Sequence, residues 1–133
     1  MTTGADEAAR RAAHAVLERR RADQAERIDL ARSLAATLDP GIGVRAVVVF
    51  GSVARGDFNV WSDVDVLVVA DRLPDGFLAR ADVIATKPPG VQVVAWTPAE
   101  FHRQLERNNP IALEARRCGI WLVGHISELT APA

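Results

Sequence analysis

Ser52 and two aspartates, Asp63 and Asp65, are the residues of this chain whose types and spacing can do chemistry. Gly51-Ser52 is followed by ten residues and then by Asp63-Val64-Asp65. Residues two apart on a strand point to one face, so Asp63 and Asp65 are expected to project side by side. Adjacent carboxylates raise one another's pKa unless a cation joins them. A small set of hard oxygen ligands suits Mg²⁺, which takes one or two carboxylates plus substrate phosphates. Gly51 lets the backbone approach a ligand closely. Ser52 offers a hydroxyl and an N–H at a helix start, where anions bind. Together these residues read as a site for a nucleoside triphosphate held through Mg²⁺. A lone Asp-x-Asp is a solvated strand face or a turn, and a lone Gly-Ser says less. The reading rests on the combination and on its strand, turn and strand context.

The elements that must position these residues can be placed from pattern. Val44–Phe50 is an apolar, β-branched run and predicts a buried strand ending at Gly51. Val53 to Gly56 reads as a short helical turn. Val60–Ala70 is expected as the second strand, carrying both aspartates, and Val91–Trp96 as the third. Thr97-Pro98-Ala99-Glu100 has the cap, the first-position proline and the acid of a capping box. The helix it starts should run toward Arg107. Asn108-Asn109-Pro110 breaks it, a second helix covers Pro110 to Arg117, and Ile120–Val123 is expected as an edge strand. The loop-rich stretch Asp71 to Gly90 leaves room for a short helix around Phe77 to Val83. From Ala5 to Leu38 there is neither Pro nor Gly, and the segment reads as helix. Ile28, Ala31, Leu34, Ala35 and Leu38 give it an apolar stripe. Upstream the stripe weakens and Arg19-Arg20-Arg21 follows, read either as a solvated charged face or as a basic contact. Whether this is one helix or two stays open.

Length and composition bound the remaining choices. A chain of 133 residues is one domain. A hydrophobic share of 49% with 25% charged residues is globular composition, not disorder. Cys118 is alone, so no internal disulfide and no cysteine-based zinc site forms, and it is expected as a buried structural thiol. No run of about 18 apolar residues is present to span a membrane. The N-terminus lacks an apolar signal core, which predicts a cytoplasmic protein. A formal net charge of −1 argues against a nucleic-acid-coating role. His14, His102 and His125 are scattered without metal-ligand spacing. Trp61, Trp96 and Trp121 are expected to pack the core or its edge.

Phe50-Gly51-Ser52-Val53-Ala54-Arg55-Gly56-Asp57 through Ser62-Asp63-Val64-Asp65-Val66-Leu67-Val68 resembles the signature of the DNA polymerase β-type nucleotidyltransferases. It is most similar to the minimal nucleotidyltransferase (MNT) group, with its Gly-Ser, ten residues, Asp-x-Asp pattern. Val93 to Phe101, Leu113-Glu114-Ala115 and Ile120 to Gly124 are similar too. The resemblance implies an α/β (α+β) fold, a short mixed β-sheet with flanking helices. To it the sequence adds an N-terminal helical extension over residues 1–26, before a nucleotidyltransferase domain over 27–126 and a loose tail over 127–133. It implies Gly51 and Ser52 on the nucleotide's phosphates and Asp63 and Asp65 as catalytic Mg²⁺ ligands, with ATP as substrate. The implied activity is transfer of AMP to a protein hydroxyl, in an antitoxin paired with a HEPN-type toxin.

The chain departs from that pattern at one position. Many members carry a third carboxylate on the next strand, where this sequence has Gln92. Glutamine offers a carbonyl oxygen but accepts no proton at pH 7. If that acid is the general base, its loss removes about 10²–10⁴-fold in rate. Asp71, Asp75 and Asp82 are candidate substitutes without a reason in the spacing to choose one. Arg55 either reaches a phosphate or pairs with Asp57 or Asp63. The alternative function is a catalytically degenerate module that binds nucleotide or a partner. An RNA-end nucleotide-adding enzyme is a weaker third reading, since the chain has no basic excess. A homo-oligomer is left open.

Overall fold

Alternation within the strands builds the protein in layers. A computed structural model describes residues 3–84 and 87–130. Its sheet has the order β3-β2-β1-β4, formed by β1 (Val44–Phe50), β2 (Val64–Ala70), β3 (Val91–Trp96) and β4 (Ile120–Val123). β1 runs antiparallel to β2 and β4, and β2 runs parallel to β3. The sheet is therefore mixed, as expected. Val47, Val49, Val66 and Val68 point to one face and pack against Ala31 and Leu34 of α1 (Gly4–Thr37). Ala46, Val48, Leu67 and Val69 point to the other. There they meet Phe101 of α4 (Pro98–Glu106) and Ala112 and Ala115 of α5 (Pro110–Cys118). Both faces of the central strands are covered, so β1 and β2 read as continuous apolar runs instead of alternating ones. Phe101 lies between Trp96 and Trp121, with ring centroids 6.4 and 6.5 Å away.

The helix signals work as read. Thr97 accepts from the Glu100 N–H and the Glu100 carboxylate accepts from the Thr97 N–H, which completes the capping box. Asn109 caps α5 by accepting from Ile111 N–H. α3 (Phe77–Val83) lies beyond β3 and contributes no buried residue.

Several expectations are corrected. The N-terminal segment is a single helix through Arg20–Gln24, because nothing there breaks it. The boundary drawn at residues 26 and 27 falls inside that helix. Val60–Asp63 are not strand: Asn59 N–H donates to Ser62 Oγ and Trp61 N–H to Asn59 Oδ1, local bonds that make a turn instead. Trp61 is accordingly 89% exposed and packs no core, whereas Trp96 and Trp121 do pack. Cys118 is exposed at the end of α5. Ser127–Leu129 belong to a short helix, α6 (Ile126–Thr130), and not to a loose tail, because Leu129 is buried against the α4 and α5 layer. Residues 1–2 of the expected extension, 85–86 of the loop and 131–133 of the tail lie outside the described residues. Among the described residues no helix is long and apolar enough to cross a membrane.

Candidate functional site

The site forms where β1 ends and β2 and β3 begin. Phe50, the last residue of β1, pairs with Asp65, and Asp65 pairs with Gln92 on β3. The chain leaves β1 into α2 (Gly51–Arg55) through Gly51, which sits at φ +73°. A Cβ on Gly51 would collide with Asp65 Oδ2 and lie 3.3 Å from its Cγ. Only glycine meets both demands, a left-handed backbone and contact with a carboxylate. Ser52 follows, half-buried. The Gly-Ser turn and the second aspartate, fourteen positions apart in sequence, are thus in contact.

Asp63 lies just before β2 and is exposed, while Asp65 is partly buried. Burial is the main cause that raises the Asp65 pKa; the charges of Asp63 and Glu114 add to it and Arg55 opposes them. Gln92 reaches the site: its Nε2 donates to Asp63 Oδ2 at 3.3 Å. The third position therefore stands beside the aspartates as an amide donor. Asp71 is at the opposite end of β2, paired with Arg45 at 3.3 Å. Asp75 precedes α3, and Asp82 is exposed on that helix. Among the described residues no set of three or more His, Cys, Asp and Glu side chains gathers to hold a metal. Two carboxylates, one of them packed on the Gly-Ser turn, fit an ion that completes its shell from substrate phosphates, as Mg²⁺ does.

Arg55 ion-pairs with Asp57 at 3.2 Å and with Glu114 of α5. The hydrogen bond to Asp57 is the main cause that raises its pKa, against a smaller desolvation effect. Of the two acidic partners the sequence left open, Arg55 pairs with Asp57 and not with Asp63. Glu114 was missed, since it lies 59 residues away.

The ten-residue spacer is held by α1. Arg20 donates through Nη2 to the carbonyls of Gly56 and Phe58 at 2.7 and 2.8 Å. Gln24 donates to Val53 O and Arg27 to Ser62 O, both at 2.7 Å. The Arg20 and Arg27 guanidiniums lie 4.6 and 4.8 Å from the ring centroid of Phe58, which is 4% exposed. These are cation–π contacts on a buried ring. Arg20, though exposed like Arg19 and Arg21, is thus a clamp on the loop that delivers Asp63. Arg20, Gln24 and Arg27, spaced four and three apart on one helix face, were the available signal, but nothing in sequence shows their targets. The histidines are surface residues: His14 and His102 pair with Glu18 and Glu106, and His125 accepts from Ser127 N–H.

Comparison with known proteins gives the family and the fold. Residues 29–117, more than half of the chain, match the nucleotidyltransferase domain family. A crystal structure of a protein described as a candidate nucleotidyltransferase from Sulfolobus solfataricus superposes with a TM-score of 0.57 at 18% identity. The match covers 77% of this chain and 84% of that one. A second crystal structure, of a toxin-antitoxin with AMP-PNP, gives a TM-score of 0.49 at 20% identity, covering 76% of each chain. No curated protein matches the sequence.

Proposed function

Because the chain belongs to the nucleotidyltransferase domain family, we propose that it transfers AMP from ATP to a hydroxyl of a partner protein. Its type is that of an antitoxin-like minimal nucleotidyltransferase, and its partner a HEPN-type toxin. The observation that carries the reading is the packing of Gly51 on Asp65, which sets the Gly-Ser turn against one of the two carboxylates. The antitoxin role is supported by the similarity of the Gly51 to Asp65 segment to the MNT pattern.

In this reading Asp63 and Asp65 hold Mg²⁺, and Gly51 and Ser52 bind the phosphates through backbone N–H and the Ser52 hydroxyl. Arg55 supplies positive charge beside them, held by Asp57 and Glu114. The bound cation supplies charge neutralisation at the phosphates and activation of the attacking oxygen. The acceptor oxygen displaces pyrophosphate from the α-phosphorus in line, so positioning is the main task of the protein. Arg20, Gln24 and Arg27 do that task indirectly, by fixing the loop before Asp63.

The test has two readouts. Under this reading ATP with Mg²⁺ at 100 times its Kd stabilises the fold by about 2.7 kcal/mol. Label from α-labelled ATP passes to the partner, and Asp63→Ala/Asp65→Ala abolishes both effects. Absence of any thermal shift refutes nucleotide binding. A second reading, a binding module without turnover, is favoured by Gln92, whose amide occupies the third position. It predicts the thermal shift without label transfer, and equal partner binding by wild type and the double variant.

A further inference from the structure

The turn that delivers Asp63 also displays two large apolar side chains. Val60 is 79% and Trp61 89% exposed. The turn itself is tied down. Asn59 N–H donates to Ser62 Oγ, Ser62 N–H to Asn59 O and Trp61 N–H to Asn59 Oδ1. From α1, Arg27 donates to Ser62 O at 2.7 Å. Trp61 is thus held out in solvent by chain that is already ordered, so covering it costs little further loop entropy. Trp is the side chain that most often anchors a protein interface.

Beside this turn runs a groove of about 580 Å³. One wall is a face of α1, where Asp23, Glu26, Arg27 and Leu30 stand at three-, four- and seven-residue spacing. Val60, Trp61 and Asp63 line the other wall. The groove therefore combines an apolar strip with three carboxylates. Asp23, Glu26 and Asp63 have no ion-pair partner among the described residues. Arg27 is the cation of the lining, but its guanidinium is engaged by the Ser62 carbonyl and the Phe58 ring. Glu18 and Asp29, outside the groove on the same helix, do pair, with Arg21 and Arg32.

We propose that this groove docks a basic segment of the acceptor protein, with an Arg or Lys side chain on the Trp61 ring and its charged end against Asp23 and Glu26. This deepens the function proposed above and rests on it for calling the ligand an acceptor, though not for the binding. A long cationic side chain matches both surfaces: its aliphatic stem covers apolar groups, and its head suits a carboxylate and an aromatic face. Charge complementarity selects this occupant. An apolar segment would leave the carboxylates buried beside it without a counter-charge, and an acidic segment or a nucleic-acid backbone is repelled. Asp63 belongs both to the groove and to the carboxylate pair, so a segment docked here arrives at the rim of the candidate catalytic site. With Mg²⁺ on Asp63, Asp23 and Glu26 still offer their charges to the segment.

The experiment measures binding of the full chain, without nucleotide, to an array of octapeptides. Each peptide holds a Ser, Thr or Tyr, and the array varies the number of Arg, Lys, Asp and Glu residues. Trp61→Ala and Asp23→Asn/Glu26→Gln test the groove, and Glu106→Gln controls for loss of an exposed carboxylate elsewhere. All these side chains are exposed, and melting temperatures check the folds. The expected result is capture that rises with the number of basic residues and falls with added salt. Trp61→Ala should weaken it about fivefold, and Asp23→Asn/Glu26→Gln about three- to tenfold. Glu106→Gln should leave it unchanged. No capture, capture indifferent to peptide charge, or equal capture by the groove variants overturns the proposal. Spermidine binding as tightly as the best peptide assigns the groove to a small cation and overturns it. Self-association that Trp61→Ala abolishes, without peptide capture, assigns it to a second copy and overturns it too. The ATP–Mg²⁺ thermal shift of the wild type keeps the two readings apart. Its absence refutes nucleotide binding and leaves the peptide result to stand, whereas its presence without capture refutes the docking alone.

Discussion

Replacing Gly51 by alanine separates strain from site damage. Gly51 sits at φ +73°, where a Cβ costs about 1–2 kcal/mol. That Cβ also collides with Asp65 Oδ2, so the carboxylate must leave its rotamer at a further cost of about 0.5–1.5 kcal/mol. Gly76 supplies the control: its φ is +94°, and a Cβ there meets nothing within 4 Å. Gly76→Ala therefore carries backbone strain without a clash, that of a glycine-only region at ψ 142°, about 1–3 kcal/mol. At roughly 4 °C per kcal/mol for a domain of this size, Gly76→Ala should lower the melting temperature by about 4–12 °C and Gly51→Ala by about 6–14 °C. The sharper difference lies in the ligand. Stabilisation by ATP–Mg²⁺ should persist in Gly76→Ala and vanish in Gly51→Ala, because only the latter moves Asp65. Differential scanning of both variants with and without ATP–Mg²⁺ reads this out. If Gly51→Ala keeps the full nucleotide shift, Asp65 does not need the position the glycine gives it, and the carboxylate-pair reading falls.

Other perturbations follow from the same contacts. Burial first, then Asp63 and Glu114, hold the Asp65 pKa above its unfolded value. Between the two values the folded state binds more protons, so this group's contribution to stability falls as pH rises through the window. Asp65→Asn should therefore melt higher than wild type at neutral pH without metal, with the advantage disappearing below the carboxylate range. Burial opposes ionisation of Glu100, but donation from Thr97 N–H and Arg80 outweighs it and holds the pKa low. That stability is present above the unfolded value and is lost as pH falls through the folded one. Glu100→Gln should cost about 1–2 kcal/mol at pH 7 and less in acid, by urea unfolding at several pH values. Arg20→Met keeps the aliphatic stem and loses two carbonyl bonds and the Phe58 stacking. It should cost about 1–2 kcal/mol and weaken ATP–Mg²⁺ binding, by isothermal titration.

What was legible in the sequence was local. β1 and β3 match the expected runs to the residue, because β-branched stretches bounded by glycine or proline have one reading. The capping box at Thr97 and Glu100 is legible for the same reason, as its partners are three residues apart. β2 was drawn four residues too long at its start. Val60 and Trp61 are apolar enough for a strand, but Asn59 and Ser62 bind their own neighbourhood and turn the chain. Distant pairings were out of reach. Nothing in the helical propensity of α1 indicates that Arg20 reaches Gly56, or that Glu114 reaches Arg55. The short motif therefore named candidate residues that the fold brings near one another, while the helix that holds their loop in place read as an N-terminal extension.

Gln92 changes the charge arithmetic as well as the proton inventory. A carboxylate there would stand beside Asp63 and Asp65 and raise both of their pKa values. The amide instead donates to Asp63 Oδ2 and adds no charge beside the pair. Of the two carboxylates, Asp65 is the one whose pKa is pushed up, mainly by burial. Under the proposed function the two aspartates would still hold a divalent ion, while the proton of an acceptor hydroxyl would leave by a route other than Gln92. Gln92→Asp tips that balance toward a proton acceptor at the cost of charge repulsion. Its effect on turnover, set against its effect on ATP–Mg²⁺ binding, therefore distinguishes a site arrested at binding from one whose base lies elsewhere.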